Sequence, residues 1–498
     1  MSGELRQVVF VHGWSVRSTD TYGGLPARLR SEARRDPTLR LDVREVWLGQ
    51  YISFHDEVRI PDIARAFDAA IARELGPDLA AGGGFACITH STGGPVVREW
   101  LHRFHLRARR RCALSHLIML APANFGSALA QLGRSRLARL RTMFEGVEPG
   151  FGVLDWLELG SPESLALNLE WLSGAPRLKR AGVLPFVLTG TSIDRALYDH
   201  VNSYTGELGS DGVVRAAAAN LNFTQLTLTQ EAARADAKAK PGAAAPRLVA
   251  GRAKRATGTP FGLIEGRAHS GEKLGVMRSV RDDGKPHPTV TAILECLAVK
   301  DARGHSAAAK AFAARNHQVM ARQQVETEDI PGPFDRHYIH DACAMVVFRV
   351  RDDQGTPIKD FELMFTAGED DPDALPPGFF LDRQRNKRDP GAITYYLNHA
   401  KLAGAPAVKR GAETLRAAQP GTKTLGLRVI PYPQDGFVHF LPCVLPAGPA
   451  LLAAIRPYET TLIDIVLRRV VREGVFRLTK DAKPADFTKA PPGGPIEA

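Results

Sequence analysis

Residues 85–97 read FACITHSTGGPVV. The first six, Phe85–His90, are an apolar run with the length and composition of a buried strand. From Gly93 onward, GGPVVREWLHRFH places Val96, Val97, Trp100 and Leu101 on one face at helical spacing. The five residues Thr89-His90-Ser91-Thr92-Gly93 must therefore turn sharply from strand to helix. A serine at the centre of such a turn projects its hydroxyl out of the sheet. The residues two before and two after it must be small, because the backbone passes close to its neighbours, and Thr89 and Gly93 occupy those places. The N–H groups and positive end of the following helix then face the oxyanion formed when Ser91 attacks a carbonyl.

On both sides of this stretch, strands alternate with helices. Residues 7–12 (QVVFVH), 41–47, 116–120 (HLIML), 184–188 and Phe261–Ile264 read as strands, and 62–75 as a helix. That alternation implies an α/β fold, a doubly wound and mostly parallel sheet with ligands beyond the carboxyl ends of its strands. Two segments interrupt it. Residues 130–182 hold Phe144, Phe151, Trp156, Leu157, Trp171 and Leu172 and are expected to form a helical cap or lid with Trp156-Leu157 and Trp171-Leu172 as apolar tips. The alternative is a helical subdomain that packs the same residues onto the sheet. Residues 231–258 are rich in Ala, Lys and Arg with little to bury, and read as a mobile surface excursion.

A helix over 289–298 closes the first unit, taken as 1–300, and a helical linker follows over 301–335, ending in EDIPGPFD. Beyond it, 345–350, 361–365, 392–397, 425–430 and 460–466 are short strand-like runs without helices between them. They predict an all-β, sandwich-like domain over 336–498.

At 498 residues the chain is too long for one core. Its 44% hydrophobic and 24% charged content excludes a disordered or fibrous protein. The net charge of +11 favours anionic surfaces, and 107–111 (RARRR) with Arg134, Arg136 and Arg139 suits phospholipid head groups. Nucleic acid is not expected as a partner, since the basic residues are not interleaved with aromatics. No run approaches the roughly 18 apolar residues of a membrane span, and the start shows no signal core. Synthesis in the cytoplasm without Sec export is the expectation. Five scattered cysteines read as reduced thiols, and the acidic 369–373 (EDDPD) lacks a regular Ca²⁺ ligand pattern. No metal or other cofactor is expected.

The Ser91 segment resembles the nucleophile elbow of α/β-hydrolases, with Thr89 where the first glycine of the pattern stands. At the end of the first strand, VVFVHGWS (8–15) is similar to the lipase segment in which a His-Gly pair shapes the oxyanion loop. This resemblance implies His12 and Gly13 at the substrate, and the backbone amides of Trp14 and Thr92 as oxyanion donors. GELGSDGVVR (206–215) resembles the acid loop of bacterial lipases and implies Asp211 as the acid. PFGLIEGRAHSGEKLGV (260–276) carries His269 where this fold places its base, in the required order Ser, Asp, His. Asp194 and His200 are the runners-up, too close together in the chain to come from two strand ends. LAPANFGSALA (120–130) resembles a turn beside the lipase pocket, with Pro122, Asn124 and Gly126 lining it. Trp156 and Leu157 complete the expected substrate contacts.

The resemblance covers about the first 300 residues and implies a serine lipase or esterase that forms an acyl-enzyme, with a lipid ester, above all a phospholipid, as substrate. The layout that begins VFVHGWSVRSTDTYGGLP is similar to bacterial phospholipase effectors of type VI secretion. That implies a lipid membrane as target, an immunity protein and a secretion-apparatus component as partners, and a signal-independent route out of the cell. The competing readings are a cytoplasmic carboxylesterase on soluble esters and a non-catalytic interaction protein on a hydrolase fold.

Overall fold

A computed structural model describes residues 6–12, 19–36, 39–52, 55–132, 150–193, 208–232, 245–328 and 336–472. Nine strands come from the first 300 residues: β1 (Arg6–Val11), β2 (Leu41–Val46), β3 (Phe85–His90), β4 (Leu114–Leu120), β5 (Leu184–Gly190), β6 (Phe223–Gln230), β7 (Leu248–Ala250), β8 (Lys254–Ala256) and β9 (Phe261–Ile264). Six of them form a wholly parallel sheet in the order β2-β1-β3-β4-β5-β9. Both faces are covered, which is why its strands read as continuous apolar runs rather than alternating ones. Val9, Val11 and Cys87 face α2 (Ile60–Ala80) and α3 (Gly93–Trp100), where Phe67 and Trp100 meet edge to face at 5.1 Å. Val8, Phe10, Ala86 and Ile88 face the other way, in one core with Leu25 and Leu29 of α1 (Leu25–Arg35) and with Ile293 of the helix Pro288–Ala298. The strand order reverses between β1 and β3, so a crevice opens at their carboxyl ends. This is the α/β-hydrolase architecture.

The strands that follow are β10 (Val325–Glu328), β11 (Arg336–Ile339), β12 (Cys343–Asp352), β13 (Phe361–Thr366), β14 (Phe380–Arg385), β15 (Ala392–Asn398), β16 (Val408–Arg410), β17 (Glu413–Arg416), β18 (Leu425–Pro431), β19 (Val438–His439), β20 (Cys443–Gly448), β21 (Thr460–Leu467) and β22 (Val470–Val471). The larger of their sheets runs β14-β15-β12-β21-β6-β7, with β8 also on β6, and a smaller one runs β13-β18-β20. Side-chain alternation gives the large sheet two cores. Ala344, Val346, Phe348, Tyr395, Ile463 and Leu228 pack against Phe365 and Leu427 of the small sheet, as in a sandwich. Met345, Val347, Tyr396, Leu462 and Phe223 point the opposite way into the hydrolase core, where Phe223 meets Phe125 edge to face at 5.3 Å.

Three expectations change. The large sheet is not built from 336–498 alone, because β6, β7 and β8 enter it from the first 300 residues, β6 lying parallel to β21. Within 231–258, residues 233–244 lie outside the described residues, but β7 and β8 pair antiparallel with β6 and Leu248 is buried. That part is sheet rather than a loose excursion. The helical linker expected over 301–335 has its helix, but that helix is not free, and residues 329–335 lie outside the described residues. The helix Ala302–Arg322 lies on β9, with the Asn316 amide accepting from Leu263 N–H at 2.7 Å and donating to the Phe261 carbonyl at 2.8 Å. It thereby satisfies backbone groups on the sheet's edge strand. Among the described residues, no helix is long and apolar enough to cross a membrane.

Candidate active site

β3 delivers Ser91 to the crevice with φ +53°, a left-handed conformation that costs a non-glycine residue roughly 1–3 kcal/mol and persists only where its surroundings hold it. They do so here. Ser91 N–H donates to Leu120 O at 3.0 Å, and Gly94 N–H donates to Ser91 O at 3.2 Å. A Cβ on Gly93 would stand 2.9 Å from Val11 O and 3.1 Å from His12 O, so the start of α3 is pressed against the end of β1. The same Cβ would be 3.3 Å from Thr89 Cβ, which explains how a threonine fits where the hydrolase pattern has glycine: the other side of the turn keeps its own. Gly94 makes room in the same way for Pro122, 2.7 Å from where its Cβ would be.

Asp211 and His269, distant in the chain, meet beside this turn. His269 Nδ1 lies 2.9 Å from Asp211 Oδ2, and His269 N–H donates to the Asp211 carbonyl at 2.8 Å. Asp211 is fully buried, and its Oδ1 accepts from Val213 N–H at 3.0 Å and Val214 N–H at 2.7 Å. The Asp-Gly-Val-Val run thus fixes its own carboxylate by backbone donors, as an Asx turn does. With Nδ1 directed at the carboxylate, Nε2 is the nitrogen left for other chemistry.

His90, immediately before Ser91, was not singled out from the sequence. Its ring centroid lies 4.7 Å from that of His269, and its Nε2 lies 3.1 Å from the His269 carbonyl. A carbonyl only accepts, so Nε2 carries the proton. Burial, and then the neighbouring His269, push the His90 pKa down from 6.5 to about 3. It is a neutral donor linking the elbow to the His269 loop, and its only sequence signal was its place inside the elbow.

The remaining site expectations divide. His12 is buried at the end of β1, and Thr92 is buried at the start of α3. Gly13 and Trp14 lie outside the described residues, as do Asp194 and His200. Asn124 is corrected from pocket lining to scaffold. It is wholly buried, its oxygen accepting from Arg98 at 3.0 Å and its amide donating to Ala219 O at 2.7 Å. Arg98, also missed in the sequence, sits under the elbow helix, bonds Asn168 at 2.9 Å and lies 4.8 Å over the Trp171 ring. Burial lowers its pKa to about 9. Trp156 and Leu157 are corrected likewise. Both are buried among Val153, Leu159 and Phe125 in the main core, on the helix Phe151–Leu157, because their side chains point inward. In this structure they pack as part of a helical subdomain rather than standing as exposed tips. Residues 133–149 of the expected cap lie outside the described residues.

No family profile matches the chain, and no curated protein matches it by sequence. Among solved structures, phospholipase PlaB from Legionella pneumophila is 40% identical with a TM-score of 0.84, covering 99% of this chain and 100% of that one. The same phospholipase in complex with thio-NAD is 39% identical with a TM-score of 0.82, over 99% and 100% of the two chains.

Proposed function

The chain belongs to the family of the phospholipase PlaB, lipase-like α/β-hydrolases, and from that premise we propose that it hydrolyses phospholipid esters with Ser91 as nucleophile, His269 as base and Asp211 as the acid that orients it. In this mechanism Ser91 Oγ attacks the ester carbonyl while His269 Nε2 takes its proton. Asp211 holds the Nδ1 tautomer and stabilises the imidazolium that forms. The tetrahedral oxyanion is met by the backbone amides of Thr92 and Trp14. Collapse expels the alcohol, which takes the proton from His269 and leaves an acyl-Ser91 ester. Water, deprotonated by the same histidine, then releases the fatty acid.

The observation that carries this reading is the 2.9 Å contact between His269 and a fully buried Asp211, beside a serine at φ +53°. Membership in a phospholipase family supports a lipid over a soluble ester. The test is labelling by a fluorophosphonate probe, together with hydrolysis of phospholipid vesicles and identification of the products. Ser91→Ala should lose both labelling and turnover while keeping its fold. Unchanged turnover in that variant would sink the assignment. A type VI effector role with an immunity partner is a further proposal, supported by the resemblance of the N-terminal phrase. Toxicity on expression that is relieved by a co-expressed neighbouring gene, and absent in Ser91→Ala, is what it requires.

A further inference from the structure

The segment that carries Asp211 touches His269 on one side and the large sheet of the C-terminal region on the other. Tyr396 on β15 donates its hydroxyl to Leu208 O at 2.7 Å, and the Cys343 Sγ on β12 lies 3.7 Å from the same oxygen. Gly209 (φ +71°) sits so close that any Cβ would lie 2.6 Å from Tyr396 Oη. At the far end of the loop, Arg215 is almost wholly buried. Its guanidinium bonds Asp382 on β14 at 2.5 Å and lies 4.1 Å over the Tyr396 ring. Just beyond, Thr460 Oγ1 on β21 donates to Ala217 O at 2.9 Å, and the chain then enters the same sheet as β6. The acid loop is thus clamped before and after Asp211 by strands that arrive more than a hundred residues later, in addition to its ties to the hydrolase unit, where Ser127 Oγ donates to Val213 O at 2.5 Å and the Asn124 amide to Ala219 O at 2.7 Å.

We propose that the C-terminal sheet is part of the hydrolytic apparatus, with Tyr396 and the Arg215–Asp382 ion pair as positioning residues that hold Asp211 against His269. The proposal rests on the reading of Asp211 and His269 given above. A carboxylate displaced by a fraction of an ångström stabilises the imidazolium less, so the effect belongs in kcat and in the acid limb of the pH profile rather than in substrate binding.

The experiment compares Tyr396→Phe, Asp382→Asn and Asp211→Asn in the full chain. It uses a soluble short-chain ester, with rates divided by the number of sites titrated by a fluorophosphonate. Asp382→Asn removes the carboxylate charge that faces the buried Arg215 guanidinium and can unfold the protein. Tyr396→Phe removes one hydroxyl, keeps the ring under Arg215 and decides the matter in that case. The expected result is a kcat lower by about 10- to 100-fold per titrated site, with KM unchanged and the acid limb of kcat/KM moved to lower pH. On an Asp211→Asn background, neither change should cost much more. Unaltered kcat per site and an unmoved acid limb would overturn the proposal, as would a loss of equal size on the Asp211→Asn background. If Asp211→Asn is itself fully active, the reading of the acid fails, whatever the clamp variants do.

Discussion

Replacing Trp156 by alanine removes an indole that is 3% exposed and packs in the main core beside Leu157, which is 2% exposed. The backbone there is tied down independently of the ring, since Ser161 Oγ donates to Trp156 O at 2.7 Å and Ser127 N–H to Leu157 O at 2.8 Å. The surroundings can therefore collapse only partly onto the cavity, and a Trp→Ala change in such a place costs about 3–5 kcal/mol. At roughly 2–4 °C of melting temperature per kcal/mol for units of this size, Trp156→Ala should melt about 6 °C lower or more. The assay pairs thermal unfolding with turnover of a soluble short-chain ester and of phospholipid vesicles, measured well below the melting point. For a packed subdomain, both activities change in the same proportion. An unchanged melting temperature with a selective loss on vesicles would refute this reasoning and return Trp156 to the role of an exposed lid tip.

Asp211→Asn keeps the loop's shape but presents the wrong partner to His269 Nδ1, and kcat should fall by up to about 10⁴-fold; a loss under tenfold in steady-state turnover would count against the assignment. Gly93→Ala forces a Cβ to within 2.9 Å of the Val11 carbonyl, so the variant should lose about 1–3 kcal/mol by overpacking, together with activity, and a wild-type melting curve would contradict the close approach. His90 keeps a pKa of about 3 in the folded chain against 6.5 as its ordinary value. Below 6.5 the unfolded chain takes up a proton that the folded chain refuses, so this stability is full above pH 6.5 and is lost as pH falls toward 3. The denaturation midpoint should decline over that window, and less steeply in His90→Gln; identical slopes would refute the burial argument.

The legible parts of this protein are the local ones. The elbow could be read because strand, turn and helix are contiguous, and the strands at 116–120, 184–188 and Phe261–Ile264 because both faces of the parallel sheet are buried and their residues are apolar throughout. Asp211 and His269 fell to motif order, and the structure pairs them. What could not be read depends on partners remote in the chain. β6 (FTQLTLTQ) alternates like any half-buried strand, and nothing in it says that its neighbour is β21. Arg215 looks like a surface arginine until Asp382 and Tyr396 are placed around it. Trp156 and Leu157 misled because an apolar pair on a helix looks the same whether it faces a substrate or a core.

The crossing of β6 into the second sheet has a consequence for how the protein is made. Gln225 of β6 faces Asp464 of β21, 239 positions further on. At about 5–20 residues per second, a ribosome needs roughly 12–50 s to synthesise that interval. Throughout it the hydrolase sheet has most of its strands, yet β6 waits beside it with an unpaired edge rich in threonine and leucine, the kind of strand that recruits other chains. A nascent chain stalled or cut short before β21 is therefore expected to aggregate rather than persist as a free catalytic unit, so hydrolytic competence arrives only once β21 has been made.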